Sequence, residues 1–456
     1  MIKYNGYIEG YYGRMLSWGE RVLTVNCMSE LKLNAYLYAP KEDPFHRVQW
    51  KDPYPPEWLK KFGEFIAAAK AKGVTVIPTM APGLSYDYLS KTDYKILFDK
   101  FANFQEIGAT TVGLMMDDIP EELPTSCKKT FASLGEAHGK LIAQLLNDLR
   151  KKNPRFGMWF CPTVYCDDMV KGKAIWSSYL VDLSQAKPSE VTVLWTGPHV
   201  ISETLNYKTM CGAAQLFDNN LIIWDNFYAN DYCPQKLNIG PYSGRGHDVL
   251  DVVRGIMLNA TGMGPTDRFL LALLANLLAG KTADSSWKAE LKSHKVPDSI
   301  SAVSHFFASP FSQISPGDLT IKSVNSARTA LKELVWKWKS ALQRDWYQYL
   351  FMLDTDLALW EKRRTGLEGV WLHKKYSPVI AELMSGLVTV KAPEKKPEEK
   401  SPEGGDPNQE MPPDLSELKT DPPKARTGSV TAPEAPKEKK KPAEKKPLPA
   451  AAKKKS

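Results

Sequence analysis

Eight apolar runs of strand length recur along the first 265 residues. They read YNGYIEG (4–10), NAYLYAP (34–40), VTVIPTMAP (74–82), TTVGLMMDD (110–118), RFGMWFCPT (155–163), EVTVLWTG (190–197), LIIWDN (221–226) and GIMLNAT (255–261). Between most of them lie amphipathic stretches of helical length, such as EWLKKFGEFIAAAKAKG (57–73) and FASLGEAHGKLIAQLLNDLRKK (131–152). Strands that are apolar throughout are buried on both faces, which is the signature of a parallel sheet covered by helices. Eight such units in about 260 residues predict an α/β fold of the (β/α)8 TIM type over residues 1–266. A doubly wound open sheet is the alternative, and the count of eight favours the barrel. Between strands 7 and 8 the stretch 227–254 carries only a weak helical pattern.

The pattern changes after Asp267. DRFLLALLANLLAG, the segment around SISAVSHFFASPF, ARTALKELVWKWKSALQ and DWYQYLFMLDTDLALWEKRR read as amphipathic helices with no strands between them. They predict an all-α helical domain over 267–390. Trp336, Trp338 and Trp346 fall on it; aromatics at helical spacing are expected in the core, the other reading being a binding groove. Residues 391–456 differ again, holding 13 of the 33 prolines and no aromatic residue. A segment with so little apolar surface cannot offset its ordering entropy, so a disordered tail is expected there.

Charge narrows the function classes. The net charge is +8, but the tail alone has 16 Lys/Arg against 12 Asp/Glu, so half the excess sits outside the folded part. A body of about +4 argues against nucleic-acid binding. The tail's mixed signs fit a solvated linker better than a tether to an acidic partner. The six cysteines (27, 127, 161, 166, 211 and 233) form no CxxC pair, which argues against a disulfide framework and a thiolate zinc site. The seven histidines form no HxH or HxxxH pair, so neither metal nor cofactor is expected. MIKYNGYIEG has no apolar region behind a basic start, and no run of about 18 apolar residues occurs. These readings predict a cytoplasmic protein with no membrane partner; they leave the oligomeric state open.

The chemistry gathers where a barrel keeps it, at the C-terminal ends of the strands. Strand 1 ends in Glu9-Gly10-Tyr11-Tyr12-Gly13-Arg14 and strand 2 in Pro40-Lys41-Glu42-Asp43. Strand 4 ends in Asp117-Asp118, and strand 5 in Cys161-Pro162-Thr163 with Tyr165 beyond. Strand 7 ends in Trp224-Asp225-Asn226, followed by Asn230-Asp231-Tyr232, and strand 8 ends in Asn259. Taken singly, each is an ordinary loop residue, because turns collect Gly, Asp and Asn. Six of eight strands delivering polar or aromatic groups to one rim is harder to explain by turns alone.

The stretches YIEGYYGR (7–14), NAYLYAPKED (34–43), MMDDIP (115–120), FCPTVYC (160–166), VLWTGP (193–198), IIWDNFYANDY (222–232) and GPYSGR (240–245) resemble glycoside hydrolase family 84, the O-GlcNAcase-like β-N-acetylglucosaminidases. The resemblance runs in order from residue 3 to about 262 and is absent from the tail. It implies substrate-assisted hydrolysis, in which the 2-acetamido oxygen of the sugar attacks the anomeric carbon and forms an oxazoline. Such enzymes are an exception to the two-carboxylate scheme of most glycosidases.

The resemblance also implies roles. Asp117 would orient the acetamido N–H and stabilise the charge that develops on it. Asp118 would be general acid on the leaving oxygen and then base toward water. Consecutive residues of a strand point to opposite faces, so the two carboxylates need not compete for one spot. Their mutual repulsion would keep one ionised and the other protonated. Gly10 and Lys41 are expected at the sugar hydroxyls, with Asp231 and Asn259 toward O4 and O6. Asn226 is expected near the acetamido group, and Cys161, Tyr165 and Trp224 as walls of its pocket. The chain departs from the family pattern at Val164 (Glu), at Tyr228 (His) and in the Asn-Ala-Thr after strand 8.

The reading reached is a retaining exo-β-N-acetylglucosaminidase that removes terminal N-acetylglucosamine from a glycoprotein or glycan. The alternatives are a hexosaminidase or hyaluronidase acting on glycans, and a sugar-binding barrel without catalysis.

Overall fold

The computed structural model describes residues 3–120, 122–170, 174–312, 314 and 318–363. The expected tail, and the stretch 364–390 of the expected helical domain, lie outside the described residues.

Each apolar run forms a strand: β1 Gly6–Glu9, β2 Ala35–Tyr38, β3 Thr75–Met80, β4 Thr111–Met115, β5 Gly157–Cys161, β6 Thr192–Trp195, β7 Leu221–Asp225 and β8 Ile256–Asn259. They pair in parallel in chain order, and β8 closes on β1 with Gly6 beside Met257 and Ile8 beside Asn259. The result is a closed eight-stranded barrel. The strands alternate between two buried environments, which is why no polar face shows in the sequence. Ile8, Leu37, Ile77, Met115, Trp159, Leu194, Ile222 and Met257 fill one core. Tyr7, Tyr36, Tyr38 and Val112 belong to a larger one with the helices.

The helices on the outside are α1 Trp18–Glu30, α2 Pro56–Ala71, α3 Lys91–Glu106, α4 Leu134–Arg150, α5 Ala174–Ala186 and α6 Tyr207–Leu216. Local chemistry sets their starts: Ser17 and Glu20 form a capping box, and Ser90 and Ser133 cap α3 and α4. Between β7 and β8 only a short 3-10 turn forms, at His247–Asp251.

After β8, α7 Gly264–Leu278 packs against β1 and α1. The change of pattern at residue 267 falls inside its first turn. Asp267 is buried there and accepts from the Tyr7 hydroxyl (2.6 Å), the Thr261 amide (2.9 Å) and hydroxyl (2.6 Å) and the Gly262 amide (3.0 Å). That carboxylate ties the loop after β8 to β1.

Further helices follow: α8 Ala283–Ser293, α9 Ile321–Lys332 and α10 Ala341–Arg363. SISAVSHFFASPF forms two 3-10 turns, Asp298–Ala302 and Ser304–Phe307, where an amphipathic helix is expected. ARTALKELVWKWKSALQ is broken: α9 passes into a π turn at Glu333–Lys337, and α10 begins at Ala341. Trp338 and Trp346 are buried as expected of core aromatics, whereas Trp336 is exposed. The indole of Trp346 donates to Thr266 Oγ1 (3.1 Å), and the Tyr349 hydroxyl of α10 accepts from Asn230 behind the β7 loop (3.3 Å).

Candidate active site

The chain leaves β4 at Met115 and is pinned there. The Met116 amide donates to the Cys161 carbonyl (2.9 Å), and its own carbonyl accepts from Thr163 Oγ1 (2.8 Å). Asp117 follows, and Asp118 then adopts φ 53°, the left-handed region that Asp tolerates better than most residues. The two aspartates therefore lie past the strand, and a left-handed turn separates their carboxylates. Strand alternation is not the device.

Asp117 is clamped by Lys41, whose Nζ lies 2.5 Å from Oδ2. Burial pushes this carboxyl up, but the Lys41 ammonium, its hydrogen bond, a backbone donor and Arg47 together hold it below the usual carboxylate range. Burial pulls Lys41 down, and Asp117 returns it above its ordinary value, so the pair is ionised. Lys41 therefore sets the charge of Asp117, where repulsion from Asp118 was expected to. The other oxygen, Oδ1, is buried and has no hydrogen-bond partner among the described residues. An ionised oxygen held dry and unpaired is costly unless something docks there.

Asp118 meets different groups. Oδ2 accepts from the Tyr12 hydroxyl (2.8 Å) and Oδ1 from the Tyr165 hydroxyl (3.1 Å). Burial, together with both aspartates, keeps the Tyr165 phenol protonated well beyond neutral pH.

The walls are built by close approach. A Cβ on Gly10 would sit 2.6 Å from the Trp224 ring and 2.7 Å from Ile8, so only glycine lets the indole close over the pocket. The Trp224 indole donates to Asn226 Oδ1 (2.8 Å), which also accepts from Asn259 Nδ2 (2.9 Å), while Asn226 Nδ2 donates to the Val200 carbonyl (2.9 Å). Asn226 thereby joins β7, β8 and the β6 loop. Asn259 Oδ1 is buried without a partner among the described residues. Asp231 accepts from the amides of Tyr12 and Tyr232, both at 3.0 Å. Burial raises the Cys161 thiol well above its ordinary value, which makes it an inert wall and not a nucleophile.

Gly10, Lys41, Asp117, Asp118, Cys161, Tyr165, Trp224, Asn226, Asp231 and Asn259 all line one cavity of about 390 Å³, within the size range of small-molecule sites. All ten residues singled out from sequence thus converge. The β6 loop, through Thr196, Val200 and Ile201, completes the wall; the quoted motif VLWTGP was the signal for it, though no residue of it was singled out.

A family profile described as beta-N-acetylglucosaminidase matches residues 5–308. The chain belongs to the beta-N-acetylglucosaminidase family. Protein O-GlcNAcase of Rattus norvegicus and of Mus musculus are each 29% identical over 254 residues, 56% of this chain and 27% of theirs, so the chain spans about a quarter of those relatives. Among solved structures, an O-GlcNAc hydrolase of Thermobaculum terrenum, determined as a point mutant, superposes with a TM-score of 0.67 at 25% identity, covering 80% of this chain and 86% of that one.

Within this beta-N-acetylglucosaminidase barrel, several polar strand ends serve the scaffold. Glu9 is buried, takes Arg21 in two bonds (2.8 and 2.9 Å) and accepts from the Tyr36 hydroxyl (2.6 Å). Asp43 accepts from the hydroxyls of Tyr38 and Tyr54, both at 2.8 Å. Asp225 holds Arg245 in two bonds (2.7 and 2.8 Å). Two departures from the family pattern, Val164 and Tyr228, also fall outside the cavity. Val164 is buried, and Tyr228 is buried with its hydroxyl on the Gly240 carbonyl (2.8 Å). His46 is buried, and burial together with Lys41 lowers it to about 3, leaving a neutral imidazole. Among the described residues no cluster of His, Cys, Asp or Glu is arranged to hold a metal ion, and no helix is long and apolar enough to cross a membrane.

Proposed function

We propose that this chain is a retaining exo-β-N-acetylglucosaminidase that works by substrate assistance. The observation that carries the reading is the Asp117 carboxylate: ionised, held through Oδ2 by Lys41, with a buried Oδ1 that has no hydrogen-bond partner among the described residues. Such an oxygen suits the acetamido N–H, which gains acidity as its carbonyl attacks, so the contact strengthens in the transition state.

The acetamido oxygen gives an electron pair to the anomeric carbon, the C–O bond to the leaving group breaks, and its pair stays on the leaving oxygen. Asp118 gives that oxygen a proton. In the second half Asp118 takes a proton from water, the water oxygen attacks the anomeric carbon, and the acetamido oxygen departs. Trp224, Tyr165 and Cys161 form a wall suited to the acetamido methyl, aiming its carbonyl at the reacting carbon. Lys41, Asp231 and Asn259 offer polar atoms to the sugar hydroxyls, and Asn259 Oδ1, which has no partner among the described residues, can accept from one.

The substrate class is N-acetylglucosamine on a glycoprotein or related glycoconjugate, O-GlcNAc on Ser or Thr foremost, in line with the named activity of the relatives. A cytoplasmic setting fits the six free cysteines.

The test compares an aryl β-N-acetylglucosaminide with the matching aryl β-glucoside. The first should turn over and the second should be slower by orders of magnitude, because attack and recognition are lost together. Equal rates on both sugars would end the substrate-assisted reading, and no turnover of either would leave a sugar-binding barrel.

A further inference from the structure

Asp118 has two carboxyl oxygens, and the structure treats them differently. Tyr12 carries the difference. Its hydroxyl oxygen accepts from Arg47 Nη1 (2.6 Å) and lies 2.8 Å from Asp118 Oδ2. A guanidinium has donors only, so the direction of the Arg47–Tyr12 bond is fixed. With its oxygen occupied by Arg47, the Tyr12 hydroxyl turns its proton to Asp118. Arg47 also reaches the Asp118 carbonyl from Nη2 (3.5 Å), bracing the left-handed turn that carries the acid.

On the other side, the Tyr165 hydroxyl is 3.1 Å from Oδ1, and no cation fixes its direction among the described residues. A phenol free to rotate can donate to an ionised carboxylate or accept from a protonated one.

We infer that Arg47 and Tyr12 hold Oδ2 of Asp118 as a permanent acceptor, so that the proton delivered to the leaving group rides on Oδ1, beside Tyr165. Arg47 and Tyr12 are then positioning residues for the acid. The inference rests on the reading of Asp118 as general acid and deepens it. Proton balance is local: the O–H bond at Oδ1 breaks as the leaving oxygen gains the proton, and water later restores it to the same oxygen. Oδ2 never changes its bond to Tyr12.

Among the described residues, the charged and titratable groups facing Asp118 are Tyr12, Lys41 and Arg47 from the β1 and β2 loops, Asp117 beside it, and Cys161 and Tyr165 from the end of β5. Of these, only Tyr12 and Tyr165 donate to its carboxylate oxygens.

The experiment is the pH profile of kcat/KM on an aryl β-N-acetylglucosaminide for wild type, Tyr12→Phe and Arg47→Met. Tyr12→Phe keeps the ring and removes one donor to the ionised acid, so the ionised form is less favoured and the protonated acid survives to higher pH. The alkaline limb should move up by a few tenths of a pH unit and by about one at most, because a hydrogen bond to a charged group is among the stronger ones but Asp118 and Tyr12 are both exposed to solvent. Arg47→Met should move it the same way, and both variants should lose more on poor leaving groups than on nitrophenol. An unmoved limb, with kcat/KM reduced equally at every pH, would show that Tyr12 only packs and would overturn the inference while leaving Asp118 as the acid. If wild type shows no turnover, both readings fall together.

Discussion

Lys41 Nζ sits 2.5 Å from one oxygen of Asp117, and the other oxygen of the same carboxylate is buried without a hydrogen-bond partner among the described residues. On the proposed reading the lysine holds the charge and the second oxygen is the acceptor for the acetamido N–H, so two functions that compete in water are separated onto two atoms of one group.

Removing the lysine should therefore change the pH profile and not only the rate. Asp117 must be ionised to work, and its folded value is depressed, so wild-type kcat/KM falls only once the pH drops below the usual carboxylate range. Without Lys41, burial dominates and the carboxyl titrates higher. Lys41→Met should move the acidic limb of kcat/KM toward neutrality and cost on the order of 10² in rate at mildly acidic pH, with part of the loss recovered as the pH rises. The check is a pH–rate series; a limb that stays in place would mean that Lys41 binds sugar and does not tune Asp117.

Gly10→Ala tests the wall. The added methyl meets the Trp224 ring at 2.6 Å, inside any real contact distance, and the indole has to shift. We expect an increase in KM of about tenfold or more and a stability loss of about 1–3 kcal/mol from overpacking, read by kinetics and thermal melting. An unchanged KM would place Trp224 away from the substrate.

Arg21→Met separates scaffold from site. It leaves the Glu9 carboxylate buried at the end of β1 without its cation, with only the Tyr36 hydroxyl and the Leu16 amide as donors among the described residues, which costs about 3–5 kcal/mol. Denaturant melts should show that loss, while kcat of the remaining folded protein at low temperature stays close to wild type. A fall in kcat with full stability would instead make Glu9 part of the chemistry.

The barrel was legible in the sequence because parallel strands, buried on both faces, stand out as continuous apolar runs. Less was legible in the helices. In α8 only Ser286, Trp287 and Leu291 are buried, too few to make an apolar stripe, and it was not anticipated. The break before Ala341 is hidden in a helix-compatible pattern, since a π turn needs no distinctive residue. The boundary at residue 267 followed the end of strand patterns and falls within α7, which packs on α1 and β1 and also on α8 and α10. At the site, residue identities were readable but their couplings were not. Nothing local to Lys41 or Asp117 announces a pair 76 positions apart, and the left-handed turn at Asp118 has no glycine to mark it. Asp118 itself sits with Tyr12 and Tyr165, which come from two other strands.

The central claim is the division of labour between Asp117 and Asp118, and the most direct measurement is kcat/KM across a series of aryl β-N-acetylglucosaminides of differing leaving-group pKa. For Asp118→Asn the dependence on leaving group should steepen, with good leaving groups nearly spared and poor ones slowed by about 10² to 10⁴, the usual worth of general-acid help. For Asp117→Asn all members of the series should slow by similar factors, because the acetamido contact is the same for each. A steep dependence in the Asp117 variant with a flat one in Asp118 would reverse the roles, and parallel lines for both would mean that neither residue is the acid.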